Sequence, residues 1–265
     1  MPASRYPDWE SFKFPVAPDA CGPRDGPVAV GADLSPASVL GAYRRGIIPI
    51  PAAGEYFRTL NEVRYEEEVA TGAIAVVGGE RGDPYWAAWW SPDPRLVIAA
   101  DDLHLGRNVR KRLRHDALRT TADAAFREVT EACRAGREPR WLTDALLETL
   151  AELHRQGWAH SIEVWLGDDL AGGAMGVGIG GVLSGDSLFG RHPGAAAIAV
   201  ADMSARLTAA GGVFIDAQWD TPFLRSLGAR PVPRDRYLEL LGEQAGPVPL
   251  PADSLPAERL LGLPH

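Results

Sequence analysis

A chain of 265 residues, 46% hydrophobic and 23% charged, has enough apolar surface to bury a core and falls in the globular class, not the fibrous, disordered or disulfide-stapled ones. Its formal net charge of −8 argues against a protein that coats nucleic acid, while leaving room for a local basic patch. Two cysteines, Cys21 and Cys133, have no C-x-x-C spacing, and the opening MPASRYPDWESFKFP has no apolar signal run, so we expect a cytoplasmic location, no membrane span and no metal site.

Proline and glycine punctuate the first fifty residues, and DLSPASVLGAYRRG (33–46) predicts a helix with Ser35 as N-cap, Pro36 in its first turn and Gly46 just past its end. Residues 52–86 mix an acidic run, Glu66-Glu67-Glu68, with a short apolar strand from Ala73 to Val77 and a glycine-rich turn at 78–82, and read as an inserted surface excursion. WWSPDPR (89–95) leads into a strand, LVIAA, and then into predicted helices at about 103–114, 122–135 and 143–157. From 160 the pattern changes to strands, HSIEVWL, LAGGAMGVGI and VLSGDSLF, separated by GDD and GG turns. This meander feeds a long helix, 195–210, closed by Gly211-Gly212, then a strand in FIDAQWD (214–220), a helix in TPFLRSLGA and a strand within RDRYLELL. A Pro-rich segment follows from 247.

FIDAQWD is the unusual strand. With a period of two, Phe214, Asp216, Gln218 and Asp220 share one face, while Ile215, Ala217 and Trp219 share the other. Burying such polar groups unpaired costs roughly 1–3 kcal/mol each, so they sit at an edge, are paired, or line a site. A second feature is cationic: Arg107, Arg110, Lys111 and Arg114 follow i, i+3, i+4, i+7 on one helical face, with Arg112 beside it. Such a stripe is either a solvated helix face or a phosphate contact. Gly176-x-Gly178-x-x-Gly181 formally matches a dinucleotide fingerprint, but no helix follows it, and tight strand packing explains its glycines. Ser187 lies in GDSLF, outside a G-x-S-x-G elbow, which argues against a hydrolase triad.

The order meander, helix, strand, helix resembles the GNAT acyltransferase fold. Arg191-His-Pro-Gly194-Ala-Ala196 sits where CoA-dependent members carry their pyrophosphate turn, although Pro193 removes one N–H donor there. Taken together, VGADLSPASVLGAYRRGIIP, WWSPDPRLVI, LHLGRNVRKRLR, LHRQGWAHSIEVWLGDDLAGG, GDSLF, FIDAQ and SLGA resemble the leucyl/phenylalanyl-tRNA–protein transferase family over about 28–50 and 89–240. The expected class is α+β: an N-terminal domain (1–95, with the excursion at about 52–86), a GNAT-like mixed-sheet domain (96–246) and a tail (247–265).

The resemblance implies transfer of a hydrophobic amino acid (Leu, Phe or Met) from its tRNA to the α-amino group of an N-terminal Arg or Lys. It places the catalytic pair on Asp216 and Gln218, and on Asp186 a carboxylate that faces the acceptor's amine and basic side chain. Asp186 is one methylene shorter than the family's Glu. The resemblance further implies an amino-acid pocket of Ala174, Leu188, Val200, Met203, Leu207 and Ile215. Contacts to tRNA are implied for Trp141, stacked on the terminal adenosine, and for Arg107, Arg110, Lys111, Arg112 and Arg114. An aminoacyl ester is already activated, so no cofactor, metal or protein nucleophile is implied. Departures from the family pattern, among them Ile48-Pro49-Ile50, Ala217, Ala195-Ala196-Ala197 and Phe223, leave the acceptor open. A small-molecule amine in natural-product biosynthesis is one alternative. CoA-dependent N-acetylation is another, of a different class.

Overall fold

The computed structural model describes residues 9, 12–14, 26–78, 82–136, 140–242 and 246–263. In chain order its elements begin with β1 (Ala29–Gly31), α1 (Pro36–Tyr43), β2 (Ile48–Pro51), α2 (Glu55–Ala70), β3 (Ala75–Val77) and β4 (Ala87–Trp90). They continue with β5 (Arg95–Ala99), α3 (Arg107–His115), β6 (Leu118–Ala122), α4 (Phe126–Arg134), α5 (Asp144–Arg155), β7 (Ala159–Leu166), β8 (Asp169–Ile179) and β9 (Val182–Gly190). The last are α6 (Ala195–Ala209), β10 (Phe214–Gln218), α7 (Pro222–Ser226), β11 (Arg230–Val232), α8 (Arg234–Leu241) and β12 (Leu255–Pro256). This is a mixed α+β architecture, and it divides into two compact units. The first holds the chain up to Pro94 together with Gly136–Glu152; the second holds Arg95–Ala135 and the chain from Leu153 onward.

In the first unit a four-stranded sheet has the order β2-β4-β1-β3, with β1 and β3 parallel and the other pairs antiparallel. Trp89 is fully buried on β4, and its indole N–H donates to Gly31 O at 2.7 Å, so its polar atom is satisfied in the core. The α1 cap forms as its residues predict: Ser35 Oγ accepts from Ser38 N, with Pro36 following it. Asp33 braces that cap, its Oδ1 accepting from Ser35 N at 3.1 Å, Ser35 Oγ at 2.7 Å and Ser38 Oγ at 2.5 Å. The 52–86 stretch differs from expectation, because most of it is the 16-residue helix α2. Only Tyr65 of α2 is buried, against Val30 and Ile74, with Val69 packed beside them. A helix held by so narrow a stripe shows little periodicity in its sequence.

The second unit is built on an eight-stranded sheet of order β11-β5-β10-β9-β8-β7-β6-β12. β9 and β10 run parallel, joined by α6 as their crossover, and the remaining pairs are antiparallel. The apolar face of β10, Ile215 and Ala217, enters a large core with Ile198, Met203 and Leu207 of α6. Two predicted boundaries change. LRTTA is the strand β6, so the helix expected from 122 begins at Phe126, and RDRYLELL is the helix α8, preceded by β11.

The segment from 247 is built into this unit as well. β12 pairs with β6, and the buried Arg206 guanidinium donates to Asp253 O at 2.8 Å and to Pro251 O. Arg206 Nε also binds Asp202 at 2.7 Å, and Asp202 takes Thr120 Oγ1 at 2.9 Å and the Arg259 guanidinium. Among the described residues, no helix is long and apolar enough to cross a membrane.

Candidate active site

The polar face of FIDAQ is built from three elements of the second unit. Asp216 is completely buried at the middle of β10, and Arg95, 1% exposed, begins the neighbouring strand β5. The guanidinium grips the carboxylate with two bonds, Nε to Oδ1 at 2.9 Å and a terminal nitrogen to Oδ2 at 2.6 Å. Tyr237, the buried aromatic of α8, donates its hydroxyl to Oδ2 at 2.9 Å, and its ring lies 4.5 Å from the Arg95 guanidinium carbon. Gln218 N donates to Oδ1 at 3.0 Å. Asp216 therefore accepts four hydrogen bonds, a full complement for a carboxylate.

Burial alone would disfavour the charge on Arg95, yet the Asp216 carboxylate more than offsets it and holds the guanidinium protonated above its ordinary range. Burial, reinforced by the Asp216 charge, pushes the Tyr237 phenol well above its usual value. Both groups remain donors throughout the physiological range.

Gln218 closes β10 in an unusual way. Its φ is +61°, in the left-handed region, and the register against β5 slips between Asp216 and Gln218, leaving Ala217 as the extra residue of a bulge. On β9 the register against β8 slips between Met175 and Gly176, which leaves Asp186 as the extra residue there. Gly176 permits that bulge, since a Cβ at this position would lie 1.8 Å from Ser184 O. Pairing between β9 and β10 ends at Ser184 and Asp216, although β9 runs on to Gly190, so the two parallel strands part where the bulges stand.

At that fork the Gln218 amide nitrogen donates to Ser184 Oγ at 2.9 Å and to Asp186 Oδ1 at 2.6 Å, and Ser184 Oγ donates to the same carboxylate oxygen at 2.8 Å. A flipped amide would set its carbonyl against a carboxylate, so these acceptors determine its orientation. Among the described residues no donor reaches Gln218 Oε1. Asp216, Gln218 and Asp186 thus come together, but Asp216 reaches the fork only through the backbone of Gln218. Arg95, Tyr237 and Ser184 were not expected. Arg95 carried one signal, as the charged residue that opens an otherwise apolar strand. Tyr237 was hidden by the misread helix α8.

Ala174, Val200, Met203, Leu207 and Ile215 are buried in one hydrophobic cluster with Leu188 packed against it. A cavity of about 630 Å³ stands elsewhere in this unit, lined by Gly106, Val109, the 190–194 turn, Ala196, Ala197, Phe223 and Leu227 among others. Of the cationic stripe, Arg107, Lys111, Arg112 and Arg114 are exposed on α3. Arg110 instead donates to Leu261 O at 2.9 Å, and Arg112 stands 3.6 Å from Asp116. Trp141 is half-buried and belongs to the first unit. Among the described residues no group of three His, Cys, Asp or Glu side chains is placed to hold a metal ion.

Fold and site define a mixed α+β protein in which a saturated Asp–Arg–Tyr cluster backs an amide at a fork between parallel strands. The family model described as leucyl/phenylalanyl-tRNA protein transferase matches residues 97–242. Proteins named leucyl/phenylalanyl-tRNA–protein transferase are similar along most of their length. The one from Chromohalobacter salexigens is 37% identical over 233 residues, 87% of this chain and 79% of its own. Those from Yersinia enterocolitica and Stutzerimonas stutzeri are each 35% identical, covering 91% and 88% of this chain and 90% and 91% of their own. The chain belongs to the leucyl/phenylalanyl-tRNA protein transferase family, a family of aminoacyltransferase enzymes.

Proposed function

We propose that the protein transfers a hydrophobic amino acid, Leu, Phe or Met, from aminoacyl-tRNA to the α-amino group of an N-terminal Arg or Lys of an acceptor protein, forming a peptide bond in the cytoplasm. The observation that carries this reading is the Gln218 amide, whose nitrogen is committed to Ser184 and Asp186 while its oxygen is left to receive an N–H. In the proposed reaction the amine nitrogen attacks the ester carbonyl carbon. The ester C–O bond breaks, the ribose hydroxyl leaves with a proton, and the amine gives one up. An α-amino group with an ordinary pKa of about 7.7–8.0 is substantially neutral near pH 7.5, so orientation is the main demand on the protein. Gln218 Oε1 holds the attacking amine, and Asp186 supplies negative charge to the acceptor's cationic side chain.

Within this reading residues 96–246 form a GNAT-like domain whose forked parallel strands take the acyl ester. The transferred side chain enters beside Leu188, at the margin of the cluster that contains Ala174, Val200, Met203, Leu207 and Ile215. The acceptor stem of the tRNA runs along Arg107, Lys111 and Arg114, and Trp141 stacks on the terminal adenosine.

The test is transfer of radiolabelled Leu, Phe and Met from charged tRNA, without ATP or CoA, to peptides beginning with Arg or Lys, to peptides beginning with Ala, and to a small primary amine. Label on the Arg and Lys peptides is the expected outcome. Label on the small amine alone would move the acceptor to the small-molecule class. Acylation supported only by acetyl-CoA would overturn the reading.

A further inference from the structure

Arg95 and Tyr237 both hydrogen-bond to Asp216, which in turn receives the backbone N–H of Gln218, and the Asp186 charge at the fork acts on both of them. From this chain of contacts we infer that Arg95 and Tyr237 are positioning residues for transfer: they lock the Asp216 carboxylate in the one orientation that holds Gln218 in its left-handed conformation, with its amide oxygen presented. The inference rests on the reading in which Gln218 Oε1 receives the acceptor amine.

Three features of the geometry support it. The backbone at Gln218 has a φ of +61°, which a residue with a side chain rarely adopts and keeps only where its surroundings impose it. The bond from Gln218 N to Asp216 Oδ1 spans this turn, so the carboxylate braces its backbone while Ser184 and Asp186 hold the amide nitrogen. A lone carboxylate on a strand can rotate about its terminal torsion, whereas here a two-pronged guanidinium fixes its plane and the phenol occupies its second oxygen. The two partners are themselves held: the Tyr237 ring meets Phe214 edge-on at 5.9 Å and lies under the guanidinium of Arg95, so α8 is tied to the conformation of the last residue of β10. Both groups keep their protons across the physiological range, so the lock does not open with pH.

The experiment is a double-mutant cycle between Tyr237→Phe and Gln218→Ala, read as kcat and KM for charged tRNA and for an Arg-initiated peptide. Tyr237→Phe keeps the ring and removes one O–H. It should lower kcat about 5- to 10-fold, leave both KM values within about twofold, and leave the folded fraction unchanged by circular dichroism. In the Gln218→Ala background the same substitution should change kcat by less than twofold, because the oxygen it positions has gone. Arg95→Lys, which keeps the charge but not the fork, should fall between the native protein and Arg95→Met in kcat. Equal losses from Tyr237→Phe in both backgrounds would overturn the positioning role while leaving Gln218 catalytic. Full activity in Gln218→Ala itself would overturn the underlying reading, and this inference with it.

Discussion

Asp216 and Arg95 show how burial changes the role of a residue. On an exposed strand an Asp–Arg pair is worth at most about 1 kcal/mol, and either partner can be lost cheaply. Here both are out of water, and each is the other's charge compensation. Arg95→Met is expected to lower stability by about 3–5 kcal/mol, because it strands a buried carboxylate. Changing both partners together, Arg95→Met with Asp216→Leu, should recover most of that loss in urea unfolding while transfer stays abolished. An unchanged midpoint in Arg95→Met would show that the pair adds nothing to the fold. Gln218 is buried as well, but uncharged, and its amide nitrogen binds Ser184 and Asp186, so Gln218→Ala should cost about 1–3 kcal/mol of stability and at least 10²-fold in kcat, about 2.7 kcal/mol of barrier.

At the scale of elements, helix α6 and the chain from 247 are joined by one buried network. Arg206 donates to carbonyls of that segment, and Arg206 and Arg259 share Asp202. Arg206→Ala should therefore loosen residues 251–259 and lower the melting temperature by well over 5 °C, and amide exchange at Leu255 and Leu260 should rise with it. Protection unchanged at those amides would show that β12 holds the segment unaided. Helix α1 supplies a pH test. Burial pushes the Asp33 carboxyl up, but hydrogen bonds from Ser38 and Ser35 outweigh it and hold the group below the usual range. A depressed folded-state pKa contributes stability above the unfolded value of about 3.9 and loses it as pH falls through the folded value. Asp33→Asn should thus lower stability slightly at pH 7, the effect being screened at this exposed site, as measured by urea unfolding, and the difference should fade as pH falls through the folded-state pKa. A gap that persists at low pH would assign the effect to geometry instead of charge. Helix α2 explains why its own element was missed. With Tyr65 turned inward and Tyr56 and Val63 each 70% exposed, its apolar residues lie on opposite sides and cancel any amphipathic signal.

For the molecule as a whole, the net charge of −8 conceals a positive face on α3. Arg107, Lys111, Arg112 and Arg114 are exposed there, Arg112 within 3.6 Å of Asp116, whereas Arg110 is bonded to Leu261 O. Replacing Arg107, Lys111 and Arg114 with Ala should weaken tRNA binding uniformly and flatten the dependence of log K on log salt by about one unit per lost phosphate contact. Arg110→Ala should instead lower stability more than binding. An unchanged salt slope in the triple variant would return the stripe to a solvated helix face.

Local order was legible in the sequence wherever it rested on chemistry within a few residues. The Ser35-Pro36 cap, the meander, the long helix and the polar face of β10 all follow from neighbours, and family kinship was carried by contiguous strings such as WWSPDPR and AHSIEVW. The strand β6 and helices α2 and α8 were not legible, because each depends on a partner far away in the chain. The site divides in the same way. Asp216, Gln218 and Asp186 are named by short motifs, but the ion pair that fills Asp216 joins residues 121 positions apart. No local rule reports such a distance. Only the assembled sheet decided that the Asp216 carboxylate is saturated and that the Gln218 amide keeps an oxygen without a donor among the described residues, because a carboxylate's role depends on how many of its lone pairs the fold has already used.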